Sequence, residues 1–220
     1  MSFIRVGGPK GVGKSTIIKE IVGASERLGL PVQKVKGGDH LLDILGVSSY
    51  DELRMLPEEV REAARPEMYR RMYEEDRGDP DTIRLRDAHY VMWGKNNDGI
   101  VCPTQPEDKE QMLAMVCLTA PLDVIYQRRV FDGREDRHFD ENLIKIEIET
   151  ELEIARCQSR EIGCPLVVIE NTGNIQESCA SLVRETMGGL PYQQELLREF
   201  EVRPIVRESE LGSMGRERLL

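Results

Sequence analysis

Three features of this sequence predict an α/β fold built on a parallel sheet. The apolar run Phe3-Ile4-Arg5-Val6 meets a glycine-rich turn, Gly8-Pro9-Lys10-Gly11-Val12-Gly13-Lys14-Ser15, which opens directly into residues of helical spacing. Short apolar segments then alternate with long amphipathic ones, the order that gives parallel strands joined by helices. The 220 residues, 40% hydrophobic and 32% charged, suit one sizeable globular domain.

The elements follow in order. Residues 3–6 form a buried strand. Ile17, Ile18, Ile21, Val22 and Leu28 place a helix over 14–28, and Gly29 ends it. Residues 31–35 make a second strand. Residues 39–77 are helical and strongly charged, with Leu41, Leu42, Ile44 and Leu45 on one apolar face. Further strands are expected at 82–86, ending at Asp87, then at 112–118 and 166–169. In 141–161, Ile144, Ile146, Ile148, Leu152 and Ile154 alternate with polar residues at the strand period, yet Ile144, Ile148, Leu152 and Ala155 also fit a helix face. The length of that stretch and its lack of turn residues decide for helix. After Gly188-Gly189 the chain turns polar, so 1–189 is expected as the domain and 190–220 as an appended helix or tail.

The turn at 8–15 carries the most specific chemistry. Successive N–H groups in such a loop form a nest for phosphate oxygens, and the following helix points its positive end at the anion. Gly8, Pro9, Lys10, Gly11, Val12, Gly13, Lys14, Ser15 and Thr16 are therefore expected around the phosphates of ATP. Gly11 and Gly13 ease the backbone. Lys14 supplies a charge for the β- and γ-phosphates, and Ser15 a hydroxyl for Mg²⁺. Lys10 is either a phosphate contact or a solvated surface lysine.

Bulk properties exclude some classes. A net charge of -10 argues against a general duplex DNA binder, whose affinity rests on Lys and Arg at phosphates. No apolar run approaches the ~20 residues of a membrane span. The five cysteines include no CxxC pair, which fits free thiols. With no secretory or transit pattern at its start, the chain is expected in the cytoplasm.

Four stretches together resemble the nucleoside monophosphate kinases, most closely the archaeal type of adenylate kinase. The first is the phosphate loop with its strand and helix. The second is Val35-Lys36-Gly37-Gly38-Asp39, followed by Asp51-Glu52-Leu53-Arg54-Met55-Leu56-Pro57. Arg86-Asp87-Ala88-His89 is the third. The fourth runs through Leu118-Thr119-Ala120-Pro121, Arg128-Arg129, Arg134 and Arg137. The resemblance implies a P-loop fold: a five-stranded parallel sheet flanked by helices, an acceptor-binding helical region near 37–77, and a short lid near 128–140. It implies acceptor contacts from Gly38, Asp39, Arg54 and His89, a donor-base contact at Asn171, and transition-state charge stabilisation by Arg128, Arg129, Arg134 and Arg137 alongside Lys14. Two departures stand out. Asp39 occupies a place where the archaeal enzymes have a small hydroxyl residue, and the strand before Asp87 is charged, at Arg84 and Arg86.

Phosphoryl transfer needs alignment and charge stabilisation, which guanidinium groups provide. The lid arginines equally have local acidic partners in Asp132, Glu135, Asp136 and Asp140. A carboxylate at a strand's carboxyl end, Asp87, suits Mg²⁺ held through water. Trp93 reads as a core residue or, alternatively, as a wall on the acceptor side, with core preferred. The expected activity is transfer of the ATP γ-phosphoryl group to a nucleoside monophosphate, AMP first. The alternatives are a kinase for another small metabolite on the same scaffold and a switch ATPase acting on protein or RNA. A guanine-specific Asn/Thr-Lys-Xaa-Asp motif is absent from the sequence.

Overall fold

The computed structural model describes residues 3–93, 99–133 and 139–201. In chain order the elements are β1 (Phe3–Gly7), α1 (Lys14–Leu28), β2 (Val32–Val35), α2 (Gly37–Leu45), α3 (Tyr50–Met55), α4 (Glu58–Gly78), β3 (Ile83–Asp87), β4 (Val91–Trp93), β5 (Gly99–Val101), α5 (Asp108–Gln111), β6 (Met112–Thr119), α6 (Leu122–Asp132), α7 (Glu141–Ile162), β7 (Leu166–Glu170), α8 (Ile175–Thr186) and α9 (Gln193–Glu201). Five strands pair in parallel in the order β2-β3-β1-β6-β7. Helices cover both faces of this sheet, which is why the central β6 reads as an apolar run rather than an alternating one. In β6, Val116 and Leu118 join one apolar cluster while Met115 and Cys117 join the other.

The charge in β3 has a structural cause. Ile83 and Leu85 enter the main core, so Arg84 and Arg86 point to the opposite face, where α4 lies. Both arginines are buried, and both reach the carboxylate of Asp76, which is 1% exposed. The Arg86 guanidinium also lies 3.5 Å from the ring centroid of Phe3 and 4.8 Å from that of Tyr73. A strand pattern that seems to contradict burial is therefore a buried ion cluster joining α4 to the sheet.

Residues 141–161 are helical. Asp140 caps α7 by accepting from the N–H groups of Asn142 and Leu143 at 2.8 and 3.1 Å. The buried stripe of α7 is Ile144, Glu147, Glu151, Ala155, Gln158 and Ile162, so two glutamates lie where the apolar reading put Ile148 and Leu152.

The helix expected after residue 189 is α9, and its Leu196, Leu197 and Phe200 are buried in the main core against α8 and α1. Residues 202–220 lie outside the described part. Trp93 belongs to none of the apolar clusters among the described residues. It sits half-buried on the antiparallel hairpin of β4 and β5, an element the sequence pattern did not announce.

Removing the shared carboxylate would leave two buried guanidinium groups uncompensated. Asp76→Ala is expected to cost about 3–5 kcal/mol, the scale for breaking a buried ion pair from one side. Urea denaturation of the variant and the parent measures this.

Candidate active site

β1 is the central strand, and the chain departs from it to opposite sides through β3 and β6. Ligands of open α/β sheets bind at such a switch point, beyond the carboxyl ends of the strands. The phosphate loop starts there. Gly8 has φ +132°, and a Cβ on it would meet the Leu118 carbonyl oxygen at 2.3 Å. Gly13, at φ +97°, begins α1, and a Cβ there would lie 2.5 Å from Nδ2 of Asn171. Neither position admits a side chain.

The loop's carbonyls are held from outside. Asn171 is fully buried and donates from Nδ2 to the Val12 carbonyl at 2.8 Å. Arg128 donates to the same carbonyl at 3.0 Å and to that of Asn171 at 3.3 Å. Arg129 donates to the Lys10 carbonyl from Nε and Nη2, at 3.0 and 2.9 Å. Its guanidinium is fully buried and forms a two-pronged pair with Glu147, at 3.3 and 2.5 Å. Lys14 lies across the loop, donating to the carbonyls of Gly8 and Pro9 at 2.5 and 3.2 Å.

Ser15 and Asp87 meet. The Ser15 hydroxyl donates to Oδ2 of Asp87 at 2.9 Å, and Nζ of Lys34 lies 3.5 Å from that oxygen. Pairing of β1 with β3 sets Val6 beside Asp87 and so brings the carboxylate to the loop. A hydroxyl and a carboxylate at this distance are hard oxygen donors that fit Mg²⁺, which keeps several waters and shares phosphate oxygens. Among the described residues no group of three or more His, Cys, Asp or Glu side chains is arranged to hold a metal unaided.

A cavity of about 1060 Å³ is lined by this loop and also by Lys36, Gly38, Tyr50, Arg54 and His89. Tyr50 donates its hydroxyl to Asp39, its ring packs on Gly38, and the Lys36 ammonium lies 5.7 Å from the ring centroid. Arg54 is exposed and paired with Asp51 at 3.0 Å. His89 has its Nδ1 3.5 Å from a carboxylate oxygen of Glu151. The positive charge of Lys14, and then burial, hold the imidazole below its ordinary pKa against the pull of Glu151. A smaller groove of about 620 Å³ follows the outer edge of β7. Its lining includes Glu170, Glu177 and Glu185, which suits no phosphate.

The structure thus gathers Lys10, Gly11, Gly13, Lys14, Ser15, Thr16, Gly38, Arg54, Asp87, His89, Arg128 and Asn171 around one cavity. Arg129 does not line it; the guanidinium is behind the loop, where its charge is spent on Glu147. Asp39 meets the site through Tyr50. Arg134 and Arg137 lie outside the described residues. Residue patterns did not point to Tyr50, Glu147 or Glu151. The available signal was the spacing of the two glutamates with Ile144 and Ala155 on one helical face.

A family model described as an AAA domain matches residues 6–147. Among solved structures, the chain is similar to shikimate kinase from Bacteroides thetaiotaomicron, at 13% identity over 83% of this chain and 97% of that one, with a TM-score of 0.49. It is also similar to a gluconokinase from Sinorhizobium meliloti 1021, at 18% identity over 84% and 94%, with a TM-score of 0.39. No curated protein matches.

Arg129 separates scaffolding from chemistry. Arg129→Ala strands the Glu147 carboxylate and is expected to destabilise the fold by about 3–5 kcal/mol. Arg128, which pairs with no buried carboxylate in the hydrogen bonds above, should cost less on the same change. Thermal unfolding of the two variants side by side provides the comparison.

Proposed function

The chain belongs to the AAA domain family, and we propose that it is an ATP-dependent kinase whose acceptor is a nucleoside monophosphate, AMP first. The observation that carries this reading is the continuity of the cavity: one space of about 1060 Å³ touches the phosphate loop at one end and Lys36, Arg54 and His89 at the other. A hydrolytic switch needs only the first end. The charges of Lys36 and Arg54 favour an anionic acceptor over a neutral polyol.

In this reading the loop's N–H groups and Lys14 hold the donor phosphates. Lys14 exchanges its carbonyl partners at Gly8 and Pro9 for phosphate oxygens, which are stronger acceptors because they are charged. Ser15 and Asp87 would hold Mg²⁺, which supplies charge neutralisation across the β- and γ-phosphates. Arg128 and Asn171 keep the loop's carbonyls turned outward. Arg54 exchanges Asp51, an exposed partner worth little, for the acceptor phosphate. Arg129 serves by fixing Lys10 in place. The engagement of Asp39 by Tyr50 weakens any base preference argued from a free carboxylate at that position.

Rate measurements test this. ADP release with ATP and Mg²⁺ should be stimulated by AMP above CMP, UMP and GMP; no stimulation by any monophosphate rejects the reading and leaves the metabolite kinase or the switch ATPase. Lys14→Ala should lower kcat by about 10²–10³-fold, the effect of removing one preorganised donor at developing charge, while circular dichroism stays unchanged. Arg54→Ala should raise KM for AMP more than KM for ATP. EDTA should abolish turnover, and Asp87→Asn should weaken the response to Mg²⁺ in titrations of rate against metal.

A further inference from the structure

We infer that Glu151 is a positioning residue for His89: its buried carboxylate takes the Nδ1–H of the ring and so leaves the lone pair of Nε2 facing the cavity. The inference rests on the kinase reading only for the part His89 plays in turnover. Glu151 is fully buried on α7. Its Oε2 accepts the main-chain N–H of Tyr90 at 2.9 Å. Its Oε1 is buried and makes no hydrogen bond among the described residues, and Nδ1 of His89 lies 3.5 Å from it. A buried carboxylate oxygen left without a donor is costly. The Nδ1–H of His89 is the donor that removes the cost.

The main chain around His89 is held on both sides. Its carbonyl accepts from Arg5 at 3.0 Å. Tyr90 is fixed by Glu151 at its N–H and by a hydroxyl bond to the Val116 carbonyl at 2.9 Å. Only the ring itself has freedom, and Glu151 removes it. A neutral imidazole donates from one nitrogen and accepts at the other. With Nδ1 donating to Glu151, Nε2 accepts. His89 therefore receives a donor from the bound molecules, a hydroxyl, an amine or a bound water, and does not donate to a phosphate oxygen. This departs from the acceptor-phosphate contact expected from sequence. It also gives a buried glutamate, far from the loop in sequence, a place in orienting the reactants, as outer partners of functional histidines do elsewhere.

The test is ¹⁵N NMR of the imidazole nitrogens in the full chain at about pH 8.5, above the ordinary histidine range. The His89 signals are assigned by their loss in His89→Asn. The expected parent spectrum has the proton on Nδ1 and none on Nε2. In Glu151→Gln the amide oxygen still accepts from Tyr90 while its N–H₂ faces Nδ1, so the proton should move to Nε2. The same variant should lose about ten-fold or more in kcat with KM for ATP held within about two-fold, the split expected of a group acting on transition-state alignment. A parent spectrum with the proton on Nε2 overturns the inference, as does a spectrum unchanged by Glu151→Gln. Should Glu151→Gln fail to fold, the parent spectrum alone decides. Absence of any acceptor-stimulated ADP release would reject the kinase reading and leave the tautomer assignment standing. A working kinase with the proton on Nε2 would do the reverse.

Discussion

A loop that turns its N–H groups inward to an anion must turn its carbonyls outward, and each outward carbonyl in a packed interior needs a donor. Here Lys14 serves Gly8 and Pro9, Arg129 serves Lys10, and Arg128 with Asn171 serves Val12. Most of the site's architecture follows from this constraint. It explains why α6 presents two consecutive arginines to the loop, and why Asn171 is buried at the end of β7. It also explains why Glu147 is buried: a guanidinium spent on a carbonyl still carries its charge, and the carboxylate balances it.

α7 then connects the two halves of the cavity. Glu147 and Glu151 lie one turn apart on its buried face. The first reaches the donor loop through Arg129. The second reaches His89 and the main chain of Tyr90. One helix thereby supports both the loop and the segment that carries His89, and none of its residues lines the cavity.

Local sequence revealed the parts of this arrangement whose chemistry is local. The turn at 8–15 states its own conformation through Gly8 and Gly13. Strands β6 and β7 declare themselves by apolar runs, and Asp87 by its place at a strand end. What stayed hidden depends on a partner distant in the chain. Arg84 and Arg86 looked wrong for a buried strand because Asp76 belongs to another element. Arg129 looked like its neighbour Arg128 because nothing near it in sequence tells which guanidinium faces the cavity. Nothing local marks Glu147 and Glu151 as buried, because burial of a carboxylate requires a donor, and theirs, Arg129 and the main-chain N–H of Tyr90, lie 18 and 61 residues away in the chain. The half-buried Trp93 failed for the opposite reason: large aromatic surface suggests a core, but a short hairpin displaced it.

The packing of α9 has a consequence for the order in which the chain can fold. Leu196, Leu197 and Phe200 complete the apolar layer over α1, the helix that begins with Lys14 and Ser15. Strand β1 and helix α1 are made before α9, and their shared face is sealed only once α9 has packed. Contacts spanning so much of the chain form late, because the entropy of closing the loop is met before the contact rewards it. During synthesis the outer face of α1 stays uncovered, a period in which a nascent chain is most exposed to association with its neighbours. The glycine-rich turn and the helix it opens are therefore synthesised well before the segment that covers them.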